Sequence, residues 1–296
     1  MIRIAGVVVL YNPPENVLEN IHSYQEQVET LFVVDNSERQ NKVLVNQIQS
    51  LGNVVYQWNG DNVGIAQALN KGASLAIEQK FDYLLMMDQD GKVAPNLVNE
   101  YSAYLSKYSS TDVGILSPYH IYDNYNSPME SAESKEIFLT ITSGTLLNLD
   151  AYKKVGPFMD ELFIDYVDFE YCLRLHSHGF KVVQLCSILM NHHLGSLVVR
   201  RMLFRRVAIY HYPPIRVYYK SRNRLFVARK YHKKYPMWSM KEFSQAGNEL
   251  VKILCFEEEK IEKCKMAFLG VLHFLKNRLG KLDEPVENVL RNTHSK

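Results

Sequence analysis

The first hundred residues alternate between short apolar runs and amphipathic stretches. Ile2–Tyr11 (IRIAGVVVLY) is an almost continuous β-branched run, which marks a strand buried on both faces. Asn12-Pro13-Pro14-Glu15 breaks it and opens a helix, with proline suited to a first turn. Thr30–Asp35 (TLFVVD) reads as a second buried strand and Val54–Trp58 as a short third. Asp61 and Asn62 offer cap oxygens for a helix running to about Gln79, whose Ile65, Leu69, Ala73 and Ala76 share one face. Tyr83–Met87 (YLLMM) is the fourth strand and ends in Asp88-Gln89-Asp90-Gly91.

Repeated strand–helix–strand units imply parallel strands joined by right-handed crossovers, hence an α/β, Rossmann-like half with helices on both faces of the sheet. Active sites in such sheets lie beyond the carboxyl ends of the strands. Asp35, Asp61 and Asp88 all fall at or just past such ends. Beyond Asn96 the pattern gives a helix to about Tyr108, then a strand at Val113–Pro118. Asp123–Lys135 is polar and reads as a surface loop, and Ile137–Leu147 is β-rich. Val167–His178 has helical spacing, with Gly179 as its stop. From Pro214 onward the chain is largely helical, with a break near Tyr235-Pro236.

Composition narrows the function. At 296 residues and 47% hydrophobic the chain can bury a large core. Neither a signal peptide nor an uninterrupted apolar run of about 18 residues is evident. The four cysteines form no C-x-x-C pair, which argues against a zinc site or disulfide framework and for a reducing cytosol. The net charge of +2 hides an asymmetry: from Tyr171 to Lys241 there are many Lys and Arg and no acid. That points to an anionic partner or to packing on an acidic domain. No nucleic-acid-binding motif accompanies the charge, so nucleic acid is excluded as the partner.

Three short segments carry candidate chemistry. Asp88 and Asp90, two residues apart at a strand end, can reach one Mn²⁺ or Mg²⁺, and can equally decorate a solvated turn. Asp35-Asn36-Ser37 can read the edge of a nucleobase, or form an Asx-type turn. Asn59-Gly60-Asp61-Asn62-Val63-Gly64 leads into a helix, whose N-terminus suits a diphosphate. Walker A and G-x-G-x-x-G patterns are absent there. Glu170 and Arg174 read as an ordinary i,i+4 ion pair.

Taken in order, these pieces resemble the family 2 glycosyltransferases of the GT-A fold over most of residues 1–225. The match runs through V-V-V-x-Y-N, V-D-N-S, N-x-G-x-A-x-A-x-N-x-G and L-L-M-M-D-Q-D. It continues through S-G-T-L, Gly156-Pro157-Phe158, F-I-D-Y-V-D-F-E-Y-C-L-R, M-N-H-H-L-G and Y-Y-x-x-R-N. The D-Q-D, D-Y-V-D-F-E and Y-Y-x-x-R-N pieces look most like the rhamnosyltransferase branch. The resemblance implies a sugar transferred from a nucleotide-diphosphate donor, dTDP-L-rhamnose, in bacterial surface-polysaccharide synthesis.

The same resemblance assigns roles. Tyr11, Asn12, Asp35, Asn36, Asp61, Gly64, Asn70, Asp88, Gln89 and Arg222 fall on the nucleotide-sugar site, with Asp35 at the base. Asp88, Asp90 and His192 fall on the metal, with His193 as a substitute for His192. Asp168 falls on the catalytic base, although Val167 replaces the family's usual glutamate and leaves Asp165 a rival. A carboxylate there suits deprotonation of a sugar hydroxyl, and the first turn of a helix favours its ionised form. One direct displacement would invert the anomeric configuration. The implied organisation is a GT-A domain over 1–212, with a nucleotide half to about 110 and an acceptor half after it, followed by a helical region over 213–296.

Arg200, Arg201, Arg205 and Arg206 have the spacing of a cationic helical face, which would hold the protein at the anionic inner surface of the cell membrane, near a polyprenyl-diphosphate-linked acceptor. Self-association through helices of 238–278 stays open. So do a UDP-hexose donor and a non-catalytic module that binds sugar nucleotides or membrane. A sugar-1-phosphate nucleotidyltransferase loses support, because Tyr11-Asn12-Pro13-Pro14 stands where a Gly- and Arg-rich loop belongs.

Overall fold

The structure is a computed structural model that describes residues 2–108, 111–122, 132–192, 196–202 and 205–282. The chain divides into two compact units, residues 1–159 with 168–193 and residues 160–167 with 194–296. This division differs from a boundary at 212, since 160–167 and 194–212 group with the helices.

The first unit is built on β1 (Ile4–Leu10), β2 (Thr30–Asp35), β3 (Val54–Trp58) and β4 (Tyr83–Asp88), with β5 (Val113–Tyr122), β6 (Ser134–Glu136), β7 (Thr145–Asn148) and β8 (Lys181–His192). The order is β3-β2-β1-β4-β7-β5-β8-β6. Pairs β1–β2, β1–β4, β2–β3 and β5–β8 are parallel, whereas β7 runs antiparallel to β4 and β5, and β6 antiparallel to β8. The chain order reverses between β1 and β4, and that reversal opens a crevice at the strand ends. Register then sets the chemistry side by side: Leu10 pairs with Asp35, Asp35 with Trp58, and Val9 with Asp88.

Helices α1 (Val17–Gln25), α2 (Lys42–Gln49), α3 (Ile65–Glu78), α4 (Leu97–Lys107), α5 (Leu149–Val155) and α6 (Val167–Ser177) accompany these strands. Every residue of β1 is buried, as its continuous apolar run requires. Helix α3 lies close on that strand: a Cβ at Gly72 would come within 2.4 Å of a Val7 methyl. Its N-cap is Gly64, at φ 88°, rather than Asp61 or Asn62. Asn62 instead accepts a hydrogen bond from the Gly64 N–H at 3.1 Å, and the positive φ suits glycine.

Other expectations are corrected. The β5 strand extends to Tyr122, and Ser134–Glu136 forms an edge strand on β8 within the expected loop; 123–131 lie outside the described residues. Of the β-rich run 137–147, only the part from Thr145 forms a strand, although the Ile137 N–H still donates to the Val182 carbonyl of β8 at 2.9 Å. Thr140 hydrogen-bonds Ser117 at 2.6 Å and Thr145 its own neighbour Thr142 at 2.6 Å, side-chain bonds that compete with ladder pairing.

The second unit holds α7 (Pro214–Tyr231), α8 (Pro236–Phe256) and α9 (Lys260–Leu275), with the break at Tyr235-Pro236 as expected. The arginine-rich stretch is no helix. It forms a hairpin, β9 (Ser196–Met202) with β10 (Arg205–His211), in which Arg201 pairs with Arg206. Val198-Val199 and Val207 to Ile209 carry β-branched residues that prefer extended backbone, and this outweighs the helical spacing of the arginines. Phe163, Tyr218, Tyr219 and Met266 form one small core of this unit. Among the described residues, no helix is long and apolar enough to cross a membrane.

Candidate active site

Three loops meet at the ends of β1, β2 and β4, and their polar side chains tie them together. Gln89 accepts a hydrogen bond from the Tyr11 N–H at 2.9 Å and donates to the Tyr11 carbonyl at 3.3 Å, which locks the β4 end to β1. The Asn12 N–H, at φ 43°, donates to the Ser37 hydroxyl at 2.8 Å. Asn36 donates to the Gly64 carbonyl at 3.1 Å and accepts from Asn59 at 2.8 Å, joining the β2 end to the start of α3. Gln89 and Asn36 therefore hold the site's frame.

Asp35 is 3% exposed, and its carboxylate accepts from the Ser37 N–H at 2.8 Å and the Tyr56 hydroxyl at 2.6 Å. The first bond is the Asx-type turn. Burial, then the bond to Asp35, pushes the Tyr56 phenol up, so it stays a donor. Asp35 and Tyr56 line a cavity of about 250 Å³ with Asn12, Ser37, Arg39 and the apolar Leu44 and Ile48. Sequence reading missed Tyr56, Arg39 and the α2 wall. Their signal was a tyrosine on a short strand next to one carrying a terminal carboxylate, visible only once β2 and β3 are paired.

Asp88 ends β4 half-buried and Asp90 is exposed, with the Gln89 side chain between them engaged by Tyr11. Tyr24 is buried on α1, and its hydroxyl has no hydrogen-bond partner among the described residues. Burial, then the negative charge of Asp88 and Asp90, pushes this phenol well up. Among the described residues, no cluster of three or more His, Cys, Asp or Glu could cage a metal ion. Two hard carboxylates at one turn nevertheless fit a cation that takes its other oxygens from a diphosphate. The side chain of His192, and His193 altogether, lie outside the described residues.

Asp168 sits in the first turn of α6, half-buried, with one oxygen accepting the Phe169 N–H at 2.9 Å. Glu170 and Arg174 form the expected i,i+4 pair at 2.6 Å, wholly buried on the glutamate side. Arg174 also donates to the Pro157 carbonyl at 2.6 Å. Asn70 braces the same stretch: its amide donates to the Phe158 carbonyl at 2.9 Å and accepts from the Phe158 N–H at 2.8 Å. The Tyr152 hydroxyl adds a third bond to Asn70 at 2.9 Å. Asn70 thus holds Gly156-Pro157-Phe158 in place. Asp61 is exposed beside the α3 start, as is Tyr11 beyond β1.

In the second unit, Asp165 is gripped by Arg216. Arg222, 1% exposed, donates to the carbonyls of Gly280 at 2.7 Å and Leu162 at 3.2 Å, to the Tyr218 hydroxyl and to Asn223. Asn223 donates to the carbonyls of Leu162, Ile164 and Asp165 at 2.8, 2.7 and 3.0 Å. These two residues brace a segment in which Phe163, Asp165 and Tyr166 all have positive φ, between 63° and 66°. Such backbone is strained for side-chain-bearing residues and persists only when its surroundings over-determine it. Arg222 therefore acts here as an internal brace.

The chain is similar to known proteins in sequence and in fold. The profile of "Glycosyl transferase family 2" matches residues 7–159. A "dTDP-rhamnosyl transferase RfbF" of Shigella flexneri is 28% identical over 293 residues, covering 94% of this chain and 97% of the relative. Among solved structures, S. aureus TarS 1-349 in complex with UDP-GlcNAc superposes at a TM-score of 0.55 with 14% identity, covering 93% of this chain and 73% of that one. GalNAc-T7 with UDP, GalNAc and Mn²⁺ superposes at 0.62 with 16% identity, covering 94% and 57%. With an apolar four-strand nucleotide half, a D-Q-D turn locked to β1 and a profile match over that same half, the chain belongs to glycosyl transferase family 2 and is a glycosyltransferase of the GT-A fold.

Proposed function

We propose that the chain is an inverting, divalent-metal-dependent glycosyltransferase that carries L-rhamnose from dTDP-L-rhamnose to a hydroxyl of a saccharide, lipid-linked or free, in bacterial surface-polysaccharide synthesis. The observation that carries the donor class is the cavity at the β1 and β2 ends. Thymine and uracil each present one N–H between two carbonyls, and a carboxylate has about four lone-pair sites. Asp35 uses two on Ser37 and Tyr56 and has capacity left for that N–H. Leu44 and Ile48 offer the apolar wall that a thymine methyl would fill. The rhamnosyl relative supports the same donor.

The diphosphate would follow the base toward the N-terminus of α3 and the D-Q-D turn, where backbone N–H groups and the helix dipole favour anions. Asp88 and Asp90 would hold Mn²⁺ or Mg²⁺, which when bound supplies Lewis-acid stabilisation of the charge on the departing diphosphate. Asp168 would take the proton of the acceptor hydroxyl as its oxygen bonds to the anomeric carbon. The bond to the diphosphate breaks in the same displacement, its electron pair leaving with the nucleotide, and the configuration inverts. The grip of Arg216 on Asp165 favours Asp168 in this role.

A UDP-hexose donor is the second reading, favoured by the UDP-GlcNAc complex of TarS. Competition between dTDP-rhamnose and UDP-hexoses in one reaction, read by product mass, tests the assignment. Rhamnosyl product should dominate, and preferential hexose transfer would overturn the donor while leaving the class intact.

Attachment to the inner face of the membrane rests on the acid-free run 171–241. Part of that charge is neutralised inside the fold: Arg174, Lys181, Arg216, Lys220 and Arg224 all pair with carboxylates, and Arg222 with carbonyls. Peripheral binding would fall to the remainder.

A further inference from the structure

Helix α8 turns one face inward onto α7, where Arg224 pairs with Glu242 and Glu249 and Ile253 packs against Val217. The opposite face has no charged residue within the helix and is exposed along its length. Met240, Phe243, Ser244, Gly247, Leu250, Val251 and Leu254 are all open to solvent, Met240 by 67% and Leu254 by 58%. At 3.6 residues per turn they fall within about 60° of Gly247. Their spacing is symmetric about that glycine: residues lie three, four and seven positions before it and after it.

Among the described residues nothing packs against Gly247 closely enough to require a glycine. A glycine in mid-helix weakens the helix relative to alanine, and a Cβ at Gly247 would meet nothing within 4 Å. What a missing side chain permits is the close approach of another backbone.

We propose that α8 is a homodimer interface, in which two copies of this chain pair their α8 helices antiparallel across a two-fold axis at Gly247. A two-fold contact uses the same patch on both copies, so it demands a self-complementary surface. Antiparallel pairing about Gly247 sets Met240 against Leu254 of the second copy and Phe243 against its Val251. It also complements charge at the ends. The exposed Lys233 and Lys234 precede α8, and the exposed Glu258 and Glu259 follow it, so each basic end meets the other copy's acidic end. Lys252 and Lys260 have the wrong sign at that end. A bilayer would use the apolar face but would gain nothing from the symmetry or from the acidic end.

Sedimentation of the purified full chain should give a dimer, and Val251→Glu should give a monomer at the same concentration. Replacing Lys233 and Lys234 by Glu should raise the dimer dissociation constant about tenfold, and adding Glu258→Lys with Glu259→Lys should restore it. That rescue does not depend on whether Val251→Glu folds. Gly247→Cys in a Cys255→Ser background should cross-link to a covalent dimer under diamide. A wild-type monomer at tens of micromolar, or no rescue by the charge swap, would overturn the proposal. So would pelleting with phosphatidylglycerol vesicles that Val251→Glu abolishes while sedimentation is unchanged, since that assigns the face to a membrane.

Discussion

Arg216 holds Asp165 in a two-point fork, Nε 2.8 Å from Oδ2 and Nη2 2.7 Å from Oδ1. Bidentate guanidinium–carboxylate pairs are among the stronger polar contacts and fix both oxygens. A base must instead present an oxygen to the incoming hydroxyl. Asp168→Asn is therefore expected to lower kcat by about 10²–10⁴-fold with little change in donor affinity. Asp165→Asn should leave kcat within about tenfold and act mainly on the stability of its loop. Steady-state kinetics of both variants decide it. The reverse pattern would move the base by one helical turn.

The proposed metal dependence rests on Asp88 and Asp90. Activity should vanish in EDTA and return with Mn²⁺ or Mg²⁺, and Asp90→Ala should lose about 10²-fold in kcat/KM even in excess metal. Donor turnover read by nucleotide release measures both. Full activity of Asp90→Ala in EDTA would refute the metal site.

The proposed base pocket has its own signature. Tyr56→Phe removes a hydrogen bond to Asp35 worth about 1 kcal/mol, so donor KM should rise several-fold while kcat holds. Asp35→Asn should raise it further. Calorimetric titration with dTDP separates this loss of binding from a folding defect, and unchanged affinity in both variants would place the base elsewhere.

Arg222 should behave as a structural brace. Arg222→Met takes the guanidinium donor from the Gly280 carbonyl, while Leu162 keeps its bonds from Asn223 and the Ile164 N–H, and should cost about 2 kcal/mol. Urea unfolding checks this. A variant of unaltered stability with a raised donor KM would show instead that the guanidinium contacts the ligand.

The sequence alone determined the nucleotide half, because there each signal is local. A strand buried on both faces reads as an unbroken apolar run, so β2 was legible to the residue, and Asp88-Gln89-Asp90 stood out as polar residues closing such a run. Tertiary structure decided what depends on pairing between distant segments. Asp35 was legible as a strand-end carboxylate, but its contact with Tyr56 arises only from the β2–β3 register. The hairpin 196–211 was misread because arginine spacing mimicked a helix, while extended pairing satisfies the backbone with a partner strand that local pattern does not reveal. Arg222 fell on the nucleotide-sugar site by resemblance, and its bonds to the carbonyls of Leu162 and Gly280, each about sixty residues away, appear only once α7 is packed. Local periodicity encodes which face of an element seeks burial; which buried polar groups then find one another is set by the packing of the whole chain.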